Sequence, residues 1–254
     1  MTAPRTFAAL CVALLAFSLP LAATAAEFSK PQRSEIEKIV HDYLIAHPEV
    51  LQEAMAELEK RQTVAESVKH EAAVKDNAKA LFSSPYQVTL GNPKGNVTFV
   101  EFFDYNCGYC KHAMGDMLTL LKDPKLKVVL KEFPVLGPGS VEAAQVAVAV
   151  RMQDPTGKKY LEFHQKLLGG RGQADKAHAL AAAQAVGLDM KRLEKDMASD
   201  EVKTTLQENF KLAEALGMNG TPSYVIGDNV IVGAVGLDAL REKVNTARCG
   251  QDSC

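Results

Sequence analysis

Cys107 and Cys110, in the stretch DYNCGYCKH, stand two residues apart between an apolar run and a helix-like pattern. Such a pair suits three chemistries: half of a zinc site, a structural disulfide, or a redox-active dithiol. Zinc lacks ligands here. The C-x4-C formed by Cys249 and Cys254 lies some 140 residues further on, and no histidine pair has finger spacing. An inert disulfide is disfavoured because two cysteines three apart at a helix start close a small, strained loop. Disulfide exchange needs one accessible thiol that is largely thiolate and a second that resolves the mixed disulfide. A cysteine at a helix start meets unpaired N–H groups and the positive end of the helix dipole, which favour S⁻. Cys107 is therefore expected as the nucleophile and Cys110, one turn inside, as the buried resolving thiol. Gly108 and Tyr109 fill the gap between them.

Other residues qualify by context. Thr221-Pro222, in NGTPSYVIG, opens a strand, a place where an X-Pro bond is sometimes cis. Beside the cysteines, a cis proline would leave the Thr221 backbone free to pair with a bound peptide; the plainer alternative is a trans proline at a strand edge. Glu101, in VTFVEFF, shares a face with Val97, Phe99 and Phe103, and Lys131, in VVLKEF, is flanked by Val129 and Phe133. Charged groups are rarely buried unless paired. Two on neighbouring strands near the cysteines are expected to act as a proton relay or pKa-tuning pair; the alternative places one or both at a solvent-facing edge. Cys249 and Cys254 are expected to form a tail disulfide that closes too short a loop to add much stability. His112 reads as a surface residue of the helix. No metal or other cofactor is expected.

The elements that must position these residues follow from pattern. Residues 1–26 have one basic residue, Arg5, an apolar stretch and a small-residue end, the layout of a cleaved secretory signal peptide. Cys11 would leave with it, and the four remaining cysteines form an even set suited to an oxidising compartment. Residues 27–84 are free of glycine and helical in pattern. SEIEKIVHDYLIAH opens on a capping box, Ser34 with Glu37, and carries Ile36, Ile39, Val40, Tyr43 and Leu44 as one stripe. A second helix is expected from Pro48 to about Phe82, and the stripe, through residues 34–62, is expected to close on copies of itself; the plainer alternative is an arm packed along its own domain and otherwise solvated. From Tyr86 the texture becomes strand, strand, the cysteine helix, strand, a helical block over about 139–217, a hairpin across Asp228-Asn229, and a closing helix. Roughly 110 residues separate Cys110 from Pro222, where a plain βαβ unit needs about 30. The block is thus an inserted subdomain on a small α/β core, a mixed sheet flanked by helices. A formal charge of −2 offers no polyanion-binding signature, so nucleic acid is excluded as a partner.

VEFFDYNCGYCK, the helical insertion and GTPSYVIG together resemble the DsbA-like periplasmic thiol-disulfide oxidoreductases, over about residues 86–247. The resemblance implies a thioredoxin fold over residues 85–254, Cys107 as nucleophile, Cys110 as its partner, Pro222 as a cis proline behind Thr221, and Glu101 with Lys131 as a buried acid–base pair. It also implies cysteine-containing exported proteins as substrates and a DsbB-like or DsbD-like membrane partner. The N-terminal arm is similar to the oligomerising helices of the Com1-like and suppressor-of-copper-sensitivity C (ScsC) branch. Gly108-Tyr109 replaces the Pro-His of the familiar monomeric oxidase, and Thr221 replaces its valine; the dimeric isomerases carry both features. A milder oxidant is expected, active in dithiol oxidation or disulfide isomerisation. A reading of another class is a surface or scaffold protein whose arm binds partners and whose dithiol is not essential.

Overall fold

The computed structural model describes residues 28–254, so the expected signal peptide and Cys11 lie outside the described residues. The chain divides into two compact units, the first ending at Leu58 and the second running from Glu59 to Cys254.

In the first unit, α1 spans Lys30–Ala46 and α2, Glu49–Asp76, begins. The capping box is formed by Ser29 and Gln32, not by Ser34 and Glu37: the Ser29 backbone N–H and hydroxyl both donate to Gln32 Oε1 at 2.9 Å. Pro31 in the first turn starts the helix there, which leaves Ser34 inside it. No residue of α1 is buried. Ile36, Ile39, Val40, Tyr43, Leu51, Met55 and Leu58 are all exposed.

The remainder of α2 belongs to the second unit, where Val74 enters the core. The helix expected to continue to Phe82 breaks at Asn77, whose backbone N–H and side-chain amide both donate to the Ala73 carbonyl. The chain then resumes as α3, Ala78–Phe82. The division therefore falls within α2, ahead of residue 85, because Val74 and Leu81 pack with the sheet.

The sheet comprises β1 (Val88–Gly91), β2 (Val97–Phe103), β3 (Leu126–Glu132), β4 (Ser223–Ile226) and β5 (Asn229–Val232), in the order β1-β3-β2-β4-β5. Only β2 and β3 run parallel; the other pairs are antiparallel. This is the mixed sheet of a thioredoxin fold. β2 and β3 are buried at every position but the second, Thr98 and Lys127, because both faces are covered. On one face Phe99, Phe103, Val128 and Leu130 pack with α4 (Gly108–Leu120), α10 (Leu237–Cys249) and the inserted helices. On the other, Val100, Phe102, Val129 and Val225 pack with Val74, Leu81 and α9 (Asp200–Ala215). The insertion consists of α5 (Pro138–Gln153), α6 (Lys158–Leu168), α7 (Lys176–Ala185), α8 (Met190–Met197) and α9. The β4–β5 hairpin turns one residue earlier than expected. Ile226 pairs with Asn229, so Gly227 and Asp228 form the loop, and glycine suits the left-handed backbone at position 227, φ +59°.

Candidate redox site

β2 ends at Phe103 and its continuation carries Asp104, Tyr105 and Asn106 to Cys107, the N-cap of α4. The Cys107 sulfur accepts the Cys110 backbone N–H at 3.3 Å, so a helix-end donor that would otherwise be unpaired points at it. The same thiol donates to the Thr221 carbonyl at 3.1 Å. The Thr221–Pro222 bond is cis. The Thr221 carbonyl, expected to be free for a peptide, is thus engaged by Cys107 while both cysteines are thiols. Cys107 is 5% exposed, whereas Cys110 has no exposure and burial pushes its thiol well above the usual range. The pair is chemically unequal: one sulfur largely covered but on a helix end, less accessible than expected, the other fully enclosed and held protonated behind it. Gly108 has no neighbour that a side chain would meet, and Tyr109 is 71% exposed. His112 is exposed and its Nδ1 lies 2.8 Å from the Gly108 carbonyl.

Glu101 and Lys131 are both buried, but they do not form a pair. The parallel register sets Glu101 beside Leu130 and Phe102 beside Lys131. Side chains alternate across a strand, so the two charges project from opposite faces of the sheet. Glu101 shares the face of Phe99 and Phe103, on which Cys110 also packs. Burial, with a smaller contribution from Asp116, raises its pKa to about 8. Lys131 faces α3 and α9, donates to the Ala80 carbonyl at 2.9 Å, and has Glu208 at 3.9 Å. Burial lowers its pKa to about 8. It anchors α3 to the sheet, away from the cysteines.

The acid that does accompany Glu101 on its face is Glu132, which pairs in register with Phe103. Its Oε1 accepts the Tyr160 hydroxyl at 2.6 Å, and burial raises its pKa. Tyr105 lies 3.3 Å from Tyr160, and His164 Nδ1 lies 3.4 Å from Tyr105. No local sequence signal marks this group, because its members come from β3, the cysteine segment and α6. Asp104 was also missed. It is buried and accepts four hydrogen bonds, from the Asn106, Val135 and Leu136 backbones and the Ser140 hydroxyl. The Asp-x-Asn spacing is a turn signal that could have found it. Asn106 bonds the Ala174 backbone twice, accepting its N–H at 2.7 Å and donating to its carbonyl at 2.8 Å.

Cys249 and Cys254 form a disulfide across a separation of five residues. Among the described residues, no group of three or more His, Cys, Asp and Glu is placed to hold a metal ion. Among the same residues, no helix is long and apolar enough to cross a membrane.

A family profile described as the DSBA-like thioredoxin domain matches residues 98–245, and one for the copper resistance protein ScsC N-terminal domain matches residues 32–64. The chain belongs to the DSBA-like thioredoxin family of thiol-disulfide oxidoreductases, on its ScsC branch. A thioredoxin-like oxidoreductase from Silicibacter pomeroyi is 43% identical, with 67% of this chain and 96% of that one covered and a TM-score of 0.63. The thiol-disulfide exchange protein alpha-DsbA2 of Wolbachia pipientis is 31% identical, with 71% and 97% covered and a TM-score of 0.67. ScsC of Proteus mirabilis, in a transitional conformation, is 29% identical, with 88% and 98% covered and a TM-score of 0.64. Among curated proteins, a Na(+)/H(+) antiporter NhaA 1 of Salinispora arenicola is 27% identical over 63% of this chain, a match that takes in only 24% of that protein's length.

Proposed function

We propose that the chain exchanges disulfides with cysteine-containing exported proteins in the periplasm, with Cys107 as the attacking or attacked sulfur and Cys110 as the resolving thiol. The inequality of the two sulfurs carries this reading. Cys107 lies on a helix end and in contact with the cis-proline turn, while Cys110 is enclosed and held as a thiol. In the dithiol form the Cys107 thiolate attacks a substrate disulfide, forming one S–S bond and releasing one substrate thiolate. Cys110 then loses its proton and attacks Cys107, releasing the second substrate thiolate. In the disulfide form the same steps run in reverse and the substrate is oxidised. A DsbB-like or DsbD-like membrane partner sets the direction by keeping the pair oxidised or reduced, and Gly108-Tyr109 with Thr221 suits a mild oxidant that also isomerises.

Insulin reduction and refolding of scrambled ribonuclease test the assignment. Cys107→Ser abolishes both activities, whereas Cys110→Ser accumulates a mixed disulfide through Cys107 that is visible on a non-reducing gel. If Cys107→Ser is as active as the parent, the dithiol is not the working group, and the arm's interactions become the function.

The exposed stripe on α1 and the first turns of α2 supports self-association through residues 34–62. Light scattering of the chain and of a variant lacking residues 27–62 checks this. The full chain is expected to show a multiple of the monomer mass and the truncated one the monomer mass. Equal monomeric masses remove the oligomer.

A further inference from the structure

The three residues ahead of Cys107 are held by the β3–α5 segment and by the inserted helices. Asp104 is held by the β3–α5 segment through Val135, Leu136 and Ser140. Tyr105 is held by α6, through Tyr160 and His164. Asn106 is held by the α6–α7 loop, through both backbone groups of Ala174, and by α5, through the Ser140 hydroxyl, to which its amide donates at 2.9 Å. All three draw on the insertion, Asp104 through Ser140 of α5, and no step of the exchange reaction uses these bonds.

We propose that the inserted helical subdomain sets the oxidising strength of the dithiol by clamping Tyr105 and Asn106, which act as positioning residues for Cys107. The proposal rests on the reading of Cys107 as the exchanging sulfur. The Tyr105 side of the clamp has a definite wiring. Tyr160 donates to Glu132, so its oxygen accepts from Tyr105, whose own oxygen then accepts from Nδ1–H of His164. Burial holds His164 neutral, with a pKa of about 3, so one Nδ1–H tautomer satisfies the chain. All four side chains are buried, and the Tyr105 ring packs edge to face on Phe103 at 5.1 Å and on Phe163 at 6.0 Å. Tyr105 is therefore fixed by hydrogen bonds at its tip and by packing along its ring.

The clamp matters more to one redox form than to the other. In the dithiol, Cys107 keeps its place by non-covalent contacts alone, the Cys110 N–H and the Thr221 carbonyl. In the disulfide, the covalent bond to Cys110 holds it. Slack in residues 104–106 consequently destabilises the dithiol selectively, and the disulfide becomes a weaker oxidant. Loss of one anchoring bond is expected to shift the dithiol–disulfide equilibrium about tenfold, which is ~30 mV towards more negative potential for this two-electron couple.

The test equilibrates the protein with glutathione and glutathione disulfide. The protein dithiol gives two electrons and two protons to glutathione disulfide, yielding the protein disulfide and two glutathione thiols. Tyr160→Phe, Tyr105→Phe and Asn106→Ala, each of which removes more than one such bond, should lower the potential by at least about 30 mV and reduce the melting temperature of the dithiol form more than that of the disulfide form. Leu193→Ala, which opens a cavity in α8 without touching these bonds, should lower both melting temperatures equally and leave the potential unchanged. Potentials of the three variants that match Leu193→Ala, or that rise, overturn the proposal. The nucleophile reading fails separately, if Cys107→Ser still exchanges with glutathione through Cys110.

Discussion

Asp104→Ala is expected to cost about 4 kcal/mol of stability, and Asp104→Asn about half of that, in denaturant unfolding of the dithiol form. Asp104 accepts four bonds: Oδ1 from the Asn106 N–H and the Ser140 hydroxyl, and Oδ2 from the N–H groups of Val135 and Leu136. Hydrogen bonds to an ionised group are worth about 1.5–3 kcal/mol each, and buried donors left without an acceptor add a desolvation cost. Alanine orphans all four donors, with partial relief from water. Asparagine has one orientation that limits the damage. Its oxygen takes the Oδ2 position and keeps Val135 and Leu136, while its NH2 meets the Ser140 hydroxyl, which can turn and accept. Only the Asn106 N–H then faces a donor. The opposite orientation sets the NH2 against two backbone N–H groups at once. A cost below about 1 kcal/mol for Asp104→Ala would mean that the bonds are replaced by solvent and that the segment ahead of Cys107 is not held by this carboxylate.

What the sequence disclosed about the site follows a physical divide. Cys107, Cys110 and the Thr221–Pro222 turn were legible because their chemistry lies in local pattern: a strand before, a helix after, an X-Pro at a strand start. The inner face of β2 was legible for the same reason, since alternation alone puts Glu101 with Phe99 and Phe103. Alternation could not relate Glu101 to Lys131. That needs the register between two strands, and a shift of one residue reverses the face. β3 gives little internal warning, because all of its last five residues are buried and burial does not tell one face from the other. Lys131 was therefore placed near the cysteines when it belongs to α3 and α9, and Glu132, its neighbour, was passed over. The anchors of Tyr105 and Asn106 lie 55 and 68 residues away in sequence. Contacts of that range are products of the insertion's packing, and no periodicity within either segment announces them. The helix starts failed on a smaller scale: Ser29 and Ser34 both fit a cap, and Pro31 decided between them.

Glu101→Gln is expected to make the protein more stable at neutral and alkaline pH and slower in turnover. Glu101 is 3% exposed, and its register neighbours are Leu130 on one side and Tyr224 on the other. The ionisable groups on its face include Asp116, Cys110, Tyr224 and, further along β3, Glu132, none of them cationic, while Lys131 projects from the other side. Its pKa accordingly rises from 4.5 to about 8. Below pH 4.5 the carboxyl is protonated in both the folded and unfolded chain and contributes no pH dependence. As pH rises from there to about 8 the unfolded chain has released the proton and the folded one has not, so stability falls by about 1.4 kcal/mol per unit. The full loss, ~5 kcal/mol, is reached above pH 8. Glutamine cannot ionise. The variant should therefore match the parent near pH 4, exceed it by about 3 kcal/mol at pH 7 and by about 5 kcal/mol at pH 9. Lys131 does not mimic this effect, because its lowered pKa makes stability rise with pH between about 8 and 10.5. The kinetic consequence runs the other way. Burial holds Cys110 as a thiol, so resolving the mixed disulfide requires that its proton leave, and Glu101, a buried acid on that side of the sheet, takes it in its ionised form, whose share grows as pH approaches about 8. Loss of a positioned base typically costs 10²-fold or more, so mixed disulfides should persist about a hundredfold longer in Glu101→Gln while their formation through Cys107 is unchanged. Identical unfolding curves for the two proteins from pH 5 to 9 would refute the buried acid, and an unaltered resolving rate would remove Glu101 from the path of the proton.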